Sequence, residues 1–249
     1  MSVVKAAIHV HSEWSYDAQI PLPDLATLFA RQGYDAVFMC EHDRGFTVER
    51  KHAYDAACAR ASEHGALLIP GIEYADAADR VHTPTWGPLP FLGEGVETIE
   101  VLRCAHARGG AAVIAHPVRR EAWRVVEPAW LELCTGIEIW TRKWDGWAPN
   151  PWAVRQVAER DLLEIVSLDL HQRRQTFPLA MELDVEGDVT AAACVHALRQ
   201  GRSRALVRGF PVTQLTHGPP SRAVQRLERV RRPVWRQGRL VRNRLTRGR

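Results

Sequence analysis

Val3-Val4-Lys5-Ala6-Ala7-Ile8-His9-Val10-His11 is an apolar, β-prone run that breaks off in two histidines. Side chains alternate across a strand, so both imidazoles leave the same face and one metal ion can take both. A His-x-His pair is a weak signal alone. What decides the fold is that the pattern of an apolar run ending in metal-ligating side chains recurs along the chain.

The recurrences are Ala36 to Cys40, Ala66 to Glu73, Ala111 to Ala115, Ile137 to Trp140, Leu163 to Leu168 and Arg204 to Val207. Short continuous apolar runs of this kind predict buried parallel strands. Between them the spacing predicts helices at Pro23 to Gln32, Glu49 to His64, Val96 to Arg108, Pro128 to Cys134, Trp152 to Arg160 and Thr190 to Gln200. Gly33, Gly65, Gly109 and Gly201 stand where helices stop. Parallel strands need crossover helices, so six or seven strand–helix units in roughly 210 residues predict an α/β chain. The expected architecture is a small distorted TIM-like barrel of (β/α)7 type, with an open doubly wound sheet as the alternative.

Composition excludes several classes. The chain has 249 residues and is 46% hydrophobic, enough for a sizeable core. Its longest apolar runs fall far below the ~20 residues of a membrane span, so no transmembrane segment is expected. Met1 to His11 lacks the pattern of a secretory signal, which makes a cytoplasmic location the expectation, with a peripheral membrane position as the alternative. Cys40, Cys58, Cys104, Cys134 and Cys194 are odd in number and form no Cys-x-x-Cys pair, which argues against a disulfide framework and a thiolate zinc site. The net charge of +4 is unevenly spread: Arg222 to Arg249 holds eleven Arg against Glu228, leaving the first 221 residues at −6.

In a parallel barrel the active-site end is where the strands run out. The runs here end in Ile8-His9-Val10-His11, Cys40-Glu41-His42-Asp43, Gly71-Ile72-Glu73, Ala115-His116-Pro117 and Ser167-Leu168-Asp169-Leu170-His171. Of eleven histidines, His9, His11, His42, His82, His116 and His171 fall at strand ends or in the loops after them. Any one of them reads equally well as a buried, hydrogen-bonded imidazole; their joint placement points to a metal site. Nitrogen and oxygen donors without thiolate favour Zn, Mn or Fe.

In that order, His-x-His, Glu-His-Asp, Gly-Ile-Glu, His, Ala-His-Pro and Asp-Leu-His resemble the PHP family, the polymerase and histidinol phosphatase superfamily, over about residues 5–210. The resemblance implies a metal-dependent phosphoesterase with two or three divalent ions. Its nine ligands would be His9, His11, Asp17, His42, Glu73, His82, His116, Asp169 and His171, with His9, His11, Glu73, Asp169 and His171 as the catalytic core. By that analogy His9, His11, Glu73 and Asp169 hold one ion, Glu73, His82 and His116 a second, and Asp17, His42 and His171 a third. Asp17 and His82 are expected in loops. The chain departs from the family at Cys40-Glu41, where threonine and aspartate are usual, and at Ser167-Leu168, where glycine and serine are usual.

Clustered divalent ions bring the pKa of a bridging water near neutral, so hydroxide can attack phosphorus in line without a Ser or Cys nucleophile. Arg44, Arg119, Arg142 and Lys143 follow strand ends and are candidate phosphate clamps, or solvated surface charges. Trp14, Trp86, Trp140, Trp144, Trp147 and Trp152 fall at the same end. They stack on the organic part of a substrate or pack the rim. The expected substrate is a phosphomonoester, a nucleotide or a nucleic-acid end.

Thr216-His217-Gly218-Pro219-Pro220 reads as a linker, dividing the barrel (1–215) from a basic tail (216–249). Val224, Leu227, Val230, Val234 and Leu245 recur among the arginines at loosely helical spacing, interrupted by Pro233. The tail is thus amphipathic or disordered, suited to an anionic membrane surface or nucleic acid. Two other readings compete: an amidohydrolase-like metallohydrolase, which also opens on His-x-His, and a non-catalytic metal-binding regulatory domain. The closing Asp169-Leu170-His171 and the strand-borne Glu73 count against the first. Full occupancy of the nine positions counts against the second.

Overall fold

A computed structural model describes residues 1–218 and 220–231. The chain runs through β1 (Ser2–Val10), α1 (Leu22–Arg31), β2 (Ala36–Met39), β3 (Glu41–His42), α2 (Val48–Ala61), β4 (Leu67–Ile69), β5 (Gly71–Ala75) and β6 (His82–Trp86). It continues with α3 (Thr98–Arg108), β7 (Ala111–Ile114), α4 (Pro128–Leu131), β8 (Gly136–Thr141), α5 (Arg142–Asp145), α6 (Pro151–Arg160) and β9 (Leu163–Ser167). The last elements are β10 (Leu179–Val185), α7 (Ala191–Arg199), β11 (Ser203–Val207), β12 (Phe210–Pro211) and α8 (Thr213–Thr216). This is the α/β, TIM-like arrangement that the alternation of runs predicts.

Two six-stranded sheets carry it, ordered β12-β11-β10-β1-β2-β4 and β3-β5-β6-β7-β8-β9. They share strand runs: β2 passes into β3 at Cys40, and β4 into β5 at Pro70. Beyond β9 the chain hydrogen-bonds back to β1, through Leu168 N to Ile8 O (3.0 Å), Leu170 N to His9 O (3.2 Å) and His11 N to Leu170 O (2.9 Å). These bonds bring the first and last ligand motifs side by side.

Three strands depart from an all-parallel reading. His82–Trp86, read as loop, is β6, antiparallel to both β5 and β7. Leu179–Val185 is β10, antiparallel to β1. The run Arg204 to Val207 lies in β11, which continues the β10 side of the sheet antiparallel instead of adding a parallel unit.

The helices form as their punctuation predicts. Leu22, Leu25, Ala26 and Phe29 make the buried stripe of α1, the 3.6-residue spacing of a helix laid on a sheet. Thr47, Asn150 and Thr190 cap α2, α6 and α7 by accepting backbone N–H bonds. Gly109 ends α3 in the left-handed region (φ 75°), where a side chain would be strained. Among the described residues, no helix is long and apolar enough to cross a membrane.

Residues 220–231, the expected start of the tail, are helical. Gln225 Nε2 donates to Pro149 O (2.6 Å), and Glu228, buried at 3% exposure, accepts from Trp147 N (3.1 Å). The remainder of the tail, residues 232–249 with Pro233, Val234, Trp235 and Leu245, lies outside the described residues.

Gly71 opens the strand that carries Glu73, and a Cβ there would collide with the Trp86 indole and Thr85 O. Trp86 is fixed: its Nε1 donates to Met39 O (2.7 Å), and its ring meets Phe38 edge-on. Gly71→Ala is expected to cost about 1–3 kcal/mol through overpacking. At about 2–4 °C per kcal/mol for a chain of this size, thermal denaturation should report the loss, and an unchanged melting temperature would refute it.

Candidate metal centre

Glu73 is the middle residue of β5, 1% exposed, and imidazoles surround its carboxylate. Its Oε1 lies 3.1 Å from His9 Nε2, 2.8 Å from His82 Nδ1 and 3.1 Å from His116 Nε2. Its Oε2 lies 3.0 Å from His42 Nδ1 and 3.6 Å from His11 Nε2. Asp169 Oδ1 faces His171 Nδ1 (3.3 Å), His11 Nε2 (3.5 Å) and His9 Nε2 (3.9 Å). Asp17 closes the rim, with Oδ2 3.1 Å from His171 Nε2 and Oδ1 3.4 Å from His42 Nε2. All nine candidate ligands therefore converge.

Their grouping differs in part from the expected one. Sets with atoms close enough to share an ion are His9–His11–Asp169, His9–Glu73–His116, His42–Glu73–His82 and His11–His42–His171. His82 also stands on a strand, β6, not in a loop, whereas Asp17 is in the loop after β1.

Backbone kinks aim the ligands. His9 has φ 64° where the register of β1 against β2 slips between Ile8 and Val10. Plain alternation is therefore not what turns this imidazole inward; a bulge does it. His116 (φ 23°) and Asp169 (φ 47°) also lie at positive φ.

The donor set fits metal ions on evidence beyond ligand type. His9 Nε2, His11 Nε2 and His42 Nε2 are buried and have no hydrogen-bond partner. A buried ring nitrogen without a partner is costly, and three of them facing shared carboxylates make sense as metal donors. In the metal-free chain, protons are distributed over the same atoms. Burial disfavours charge on His9, yet Glu73 and Glu138 hold its pKa well above the usual imidazole range. Burial also opposes charge on His42, but Glu73 and Asp17 push it up to about 10. His11 is driven the other way by burial and by its neighbours His171 and His42. Burial would raise Glu73, but His82, His9 and His42 hold its pKa well below the carboxylate range.

Glu138 is the functional residue that sequence reasoning missed. It is fully buried; its Oε1 bonds His9 Nδ1 (2.7 Å), which directs His9 Nε2 into the centre. Its Oε2 accepts from His116 N (2.8 Å) and Thr141 Oγ1 (2.6 Å). A carboxylate behind a ligating imidazole fixes its tautomer and raises its basicity. The signal was in the sequence: Gly136-Ile137-Glu138 repeats Gly71-Ile72-Glu73. Glu41 does similar work for the loop after β1, accepting from Ser12 N (3.1 Å), Ser12 Oγ (2.6 Å) and Ser15 Oγ (2.5 Å). Ser15 Oγ lies 3.2 Å from His11 Nδ1.

The candidate substrate groups divide. Lys143 Nζ reaches Asp169 Oδ2 (3.0 Å), and Trp144 Nε1 donates to the same oxygen (2.5 Å). The Trp144 ring lies 5.8 Å from that of His116, with the Arg119 guanidinium 5.8 Å above it. Arg119 is paired with Asp79 (2.9 Å), which in turn holds His82 Nε2 (2.7 Å). Arg44 lies over Tyr16 (5.2 Å), beside His42, on a cavity of about 310 Å³. Arg142 does not join them: it stacks on Phe177 (5.1 Å) and faces Arg231 and Glu228. Of the six tryptophans, Trp144 is the one beside the ligands. Trp86 and Trp140 are buried core, Trp14 packs on Phe46 and Tyr54, Trp152 opens α6, and Trp147 meets Arg231.

Two outcomes follow from this geometry. Glu138→Gln is expected to weaken metal affinity about 10–100-fold; competition with a chelator measures it, and an unchanged affinity would remove Glu138 from the centre. The second concerns pH in the metal-free chain. His42 is raised from 6.5 to about 10 on folding, so its contribution is full below about pH 6.5 and lost as pH rises through about 10. Glu73 is depressed, so its contribution is present above about pH 4.5 and lost as pH falls through its folded value. With chelator present, melting temperature should therefore fall from pH 7 to pH 10, and a flat profile would contradict the assignment.

The sequence matches no family model and no curated relative. Solved structures do match. A two-domain protein from Bacteroides vulgatus ATCC 8482, described as containing a PHP-like metal-dependent phosphoesterase, superposes with a TM-score of 0.60 at 21% identity. The match covers 83% of this chain and 65% of that one, so this chain spans about two thirds of its length. PsfC from Pseudomonas syringae PB-5123 superposes with a TM-score of 0.60 at 14% identity, covering 94% of this chain and 100% of that one. The lesion-specific endonuclease PfuEndoQ from Pyrococcus furiosus gives 0.57 at 15% identity, covering 80% and 56%. In architecture, this chain has the α/β, TIM-like fold of the PHP-like metal-dependent phosphoesterases.

Proposed function

We propose that this protein is a PHP-superfamily phosphoesterase that hydrolyses a compact phosphate ester at two or three divalent ions. The observation that carries the reading is Glu73: a buried carboxylate with both oxygens facing imidazoles, among which the Nε2 atoms of His9, His11 and His42 are buried without a hydrogen-bond partner. His9, His11, His116 and Asp169 would hold ions on one side of Glu73, and Asp17, His42, His82 and His171 on the other. Bound there, divalent ions supply Lewis acidity and an acidified water.

The chain's own groups do the rest. Lys143, 28% exposed at the side chain, stands on Asp169 Oδ2, and its ammonium has further N–H donors to offer a phosphate oxygen from there. Arg119, held by Asp79, offers a second cation across the Trp144 ring. Two cations flanking a metal centre suit the charge of a phosphoryl group.

The cavity beside His42 and His82 supports a small organic part. Its lining includes Tyr16 and Arg44 but also Asp43, Asp76, Asp79 and Glu94, carboxylates that repel a polyanionic strand. The excess of acid over the first 221 residues points the same way. A phosphomonoester of a sugar-sized or nucleoside-sized alcohol is the reading these features favour over a nucleic acid, the substrate class of a lesion-specific endonuclease.

Elemental analysis and hydrolysis of p-nitrophenyl phosphate, its bis ester and p-nitrophenyl acetate test this together. Two or three Mn, Zn or Fe ions per chain with monoester hydrolysis are expected. Glu73→Gln should lose metal and lower kcat by about 10²-fold or more. Hydrolysis of the acetate alone, or no metal taken up, would overturn the proposal. Lys143→Ala, assayed at saturating metal, is expected to lower kcat/KM about tenfold or more; an unchanged kcat/KM would remove Lys143 from the phosphate site.

A further inference from the structure

The segment from Arg142 to Asn150 carries Lys143 and Trp144 to Asp169, yet its only regular structure is the single turn of α5. One turn does not hold its own shape. Its inner side is tied to the fold: buried Asp145 accepts from Thr141 N (2.8 Å), Trp140 Nε1 donates to Gly146 O (3.1 Å) and Asn150 N to Ile139 O (2.6 Å). Its outer side meets the C-terminal helix of residues 220–231.

That helix bonds this segment directly. Gln225 Nε2 donates to Pro149 O (2.6 Å), and Glu228 Oε2 accepts from Trp147 N (3.1 Å). Arg231 donates to Glu228 through Nε (2.8 Å) and Nη2 (2.6 Å), and its guanidinium lies 5.4 Å from the Trp147 ring. Gly146 has φ 81°, and a Cβ there would collide with Glu228 and Arg231. Glu228 is the single acidic residue from Arg222 to Arg249 and it is the one buried, at 3% exposure. Burying a carboxylate is unfavourable unless it is paired and hydrogen-bonded, so this placement reads as built. The match to PsfC takes in 94% of the chain, too large a share to stop at residue 216.

We infer that Glu228, with Gln225, is a positioning residue for the metal centre: the C-terminal helix latches the 142–150 segment so that Lys143 and Trp144 stay on Asp169. Asp169 Oδ2 takes bonds from both, which leaves Oδ1 toward the imidazoles. The helix thus acts on the ligand through one segment, without touching it. The inference rests on the proposed metal centre for its effect on catalysis, and on geometry alone for its effect on the segment.

The test uses the full chain. Hydrogen exchange on Glu228→Ala should show the 142–150 amides, Trp147 above all, exchanging about tenfold faster or more than wild type. Mn²⁺ titration should show affinity about tenfold weaker, and kcat for p-nitrophenyl phosphate should fall with it. Arg226→Ala/Arg229→Ala, on the exposed face, should leave all three unchanged. Wild-type exchange and Mn²⁺ affinity in a folded Glu228→Ala protein would overturn the inference. If Glu228→Ala does not fold, Gln225→Ala, which removes only the bond to Pro149, decides on the same readouts. A wild type that binds no Mn²⁺ would defeat the proposed function, while faster exchange in the variant would still establish the latch.

Discussion

A carboxylate buried at the centre of five imidazoles is the constraint from which the rest of this molecule follows. Taking an ion of that kind out of water costs several kcal/mol after relaxation, and Glu73 is 1% exposed. In the metal-free chain the cost is offset by opposite charge from His82, His9 and His42 and by a hydrogen bond from His116, with His11, its pKa driven down, facing the second oxygen. Those five residues come from β1, β3, β6 and the end of β7, so the sheet order exists to assemble them. Around this cluster lies a second ring of acids: Glu138 behind His9, Asp79 behind His82 and Glu41 behind the Ser12–Ser15 turn. Each orients a donor that would otherwise be free to rotate.

The mouth of the site is divided by charge. Arg119 and Lys143 approach the Trp144 ring from one side, while the cavity at Tyr16 and Arg44 carries carboxylates on the other. Asp79 links the two halves, since it pairs with Arg119 and Arg120 and accepts from His82. A substitution at Asp79 would therefore disturb a phosphate-facing cation and a candidate metal ligand together.

Much of the centre was legible because its histidines and carboxylates cluster where apolar runs stop. His9, His11, His42, Glu73, His116 and Asp169 were found that way. The limits are equally physical. β6 is His82-Thr83-Pro84-Thr85-Trp86, too polar to show a strand signal, with a proline inside it. β10 alternates, with Leu179, Met181, Leu183 and Val185 buried, and a search for continuous apolar runs passes over it. Glu138 was read as part of a strand because the repeat of Gly71-Ile72-Glu73 at Gly136-Ile137-Glu138 was passed over. Burial of Glu228 and the reach of the helix at 220–231 are tertiary facts; eleven arginines in one stretch suggested only solvent, an anionic membrane surface or nucleic acid.

His9, His116 and Asp169 share a left-handed backbone, each at the point where a strand gives out. Such a conformation costs a non-glycine residue about 1–3 kcal/mol and persists only where the surroundings over-determine it. An engineer who copied the nine side chains onto a regular barrel would reproduce the chemistry and miss the direction, because straight strands would send these three elsewhere. The transferable unit is the bent strand end with its ligand attached. Straightening one of these kinks would turn the side chain away from the cluster without changing the residue.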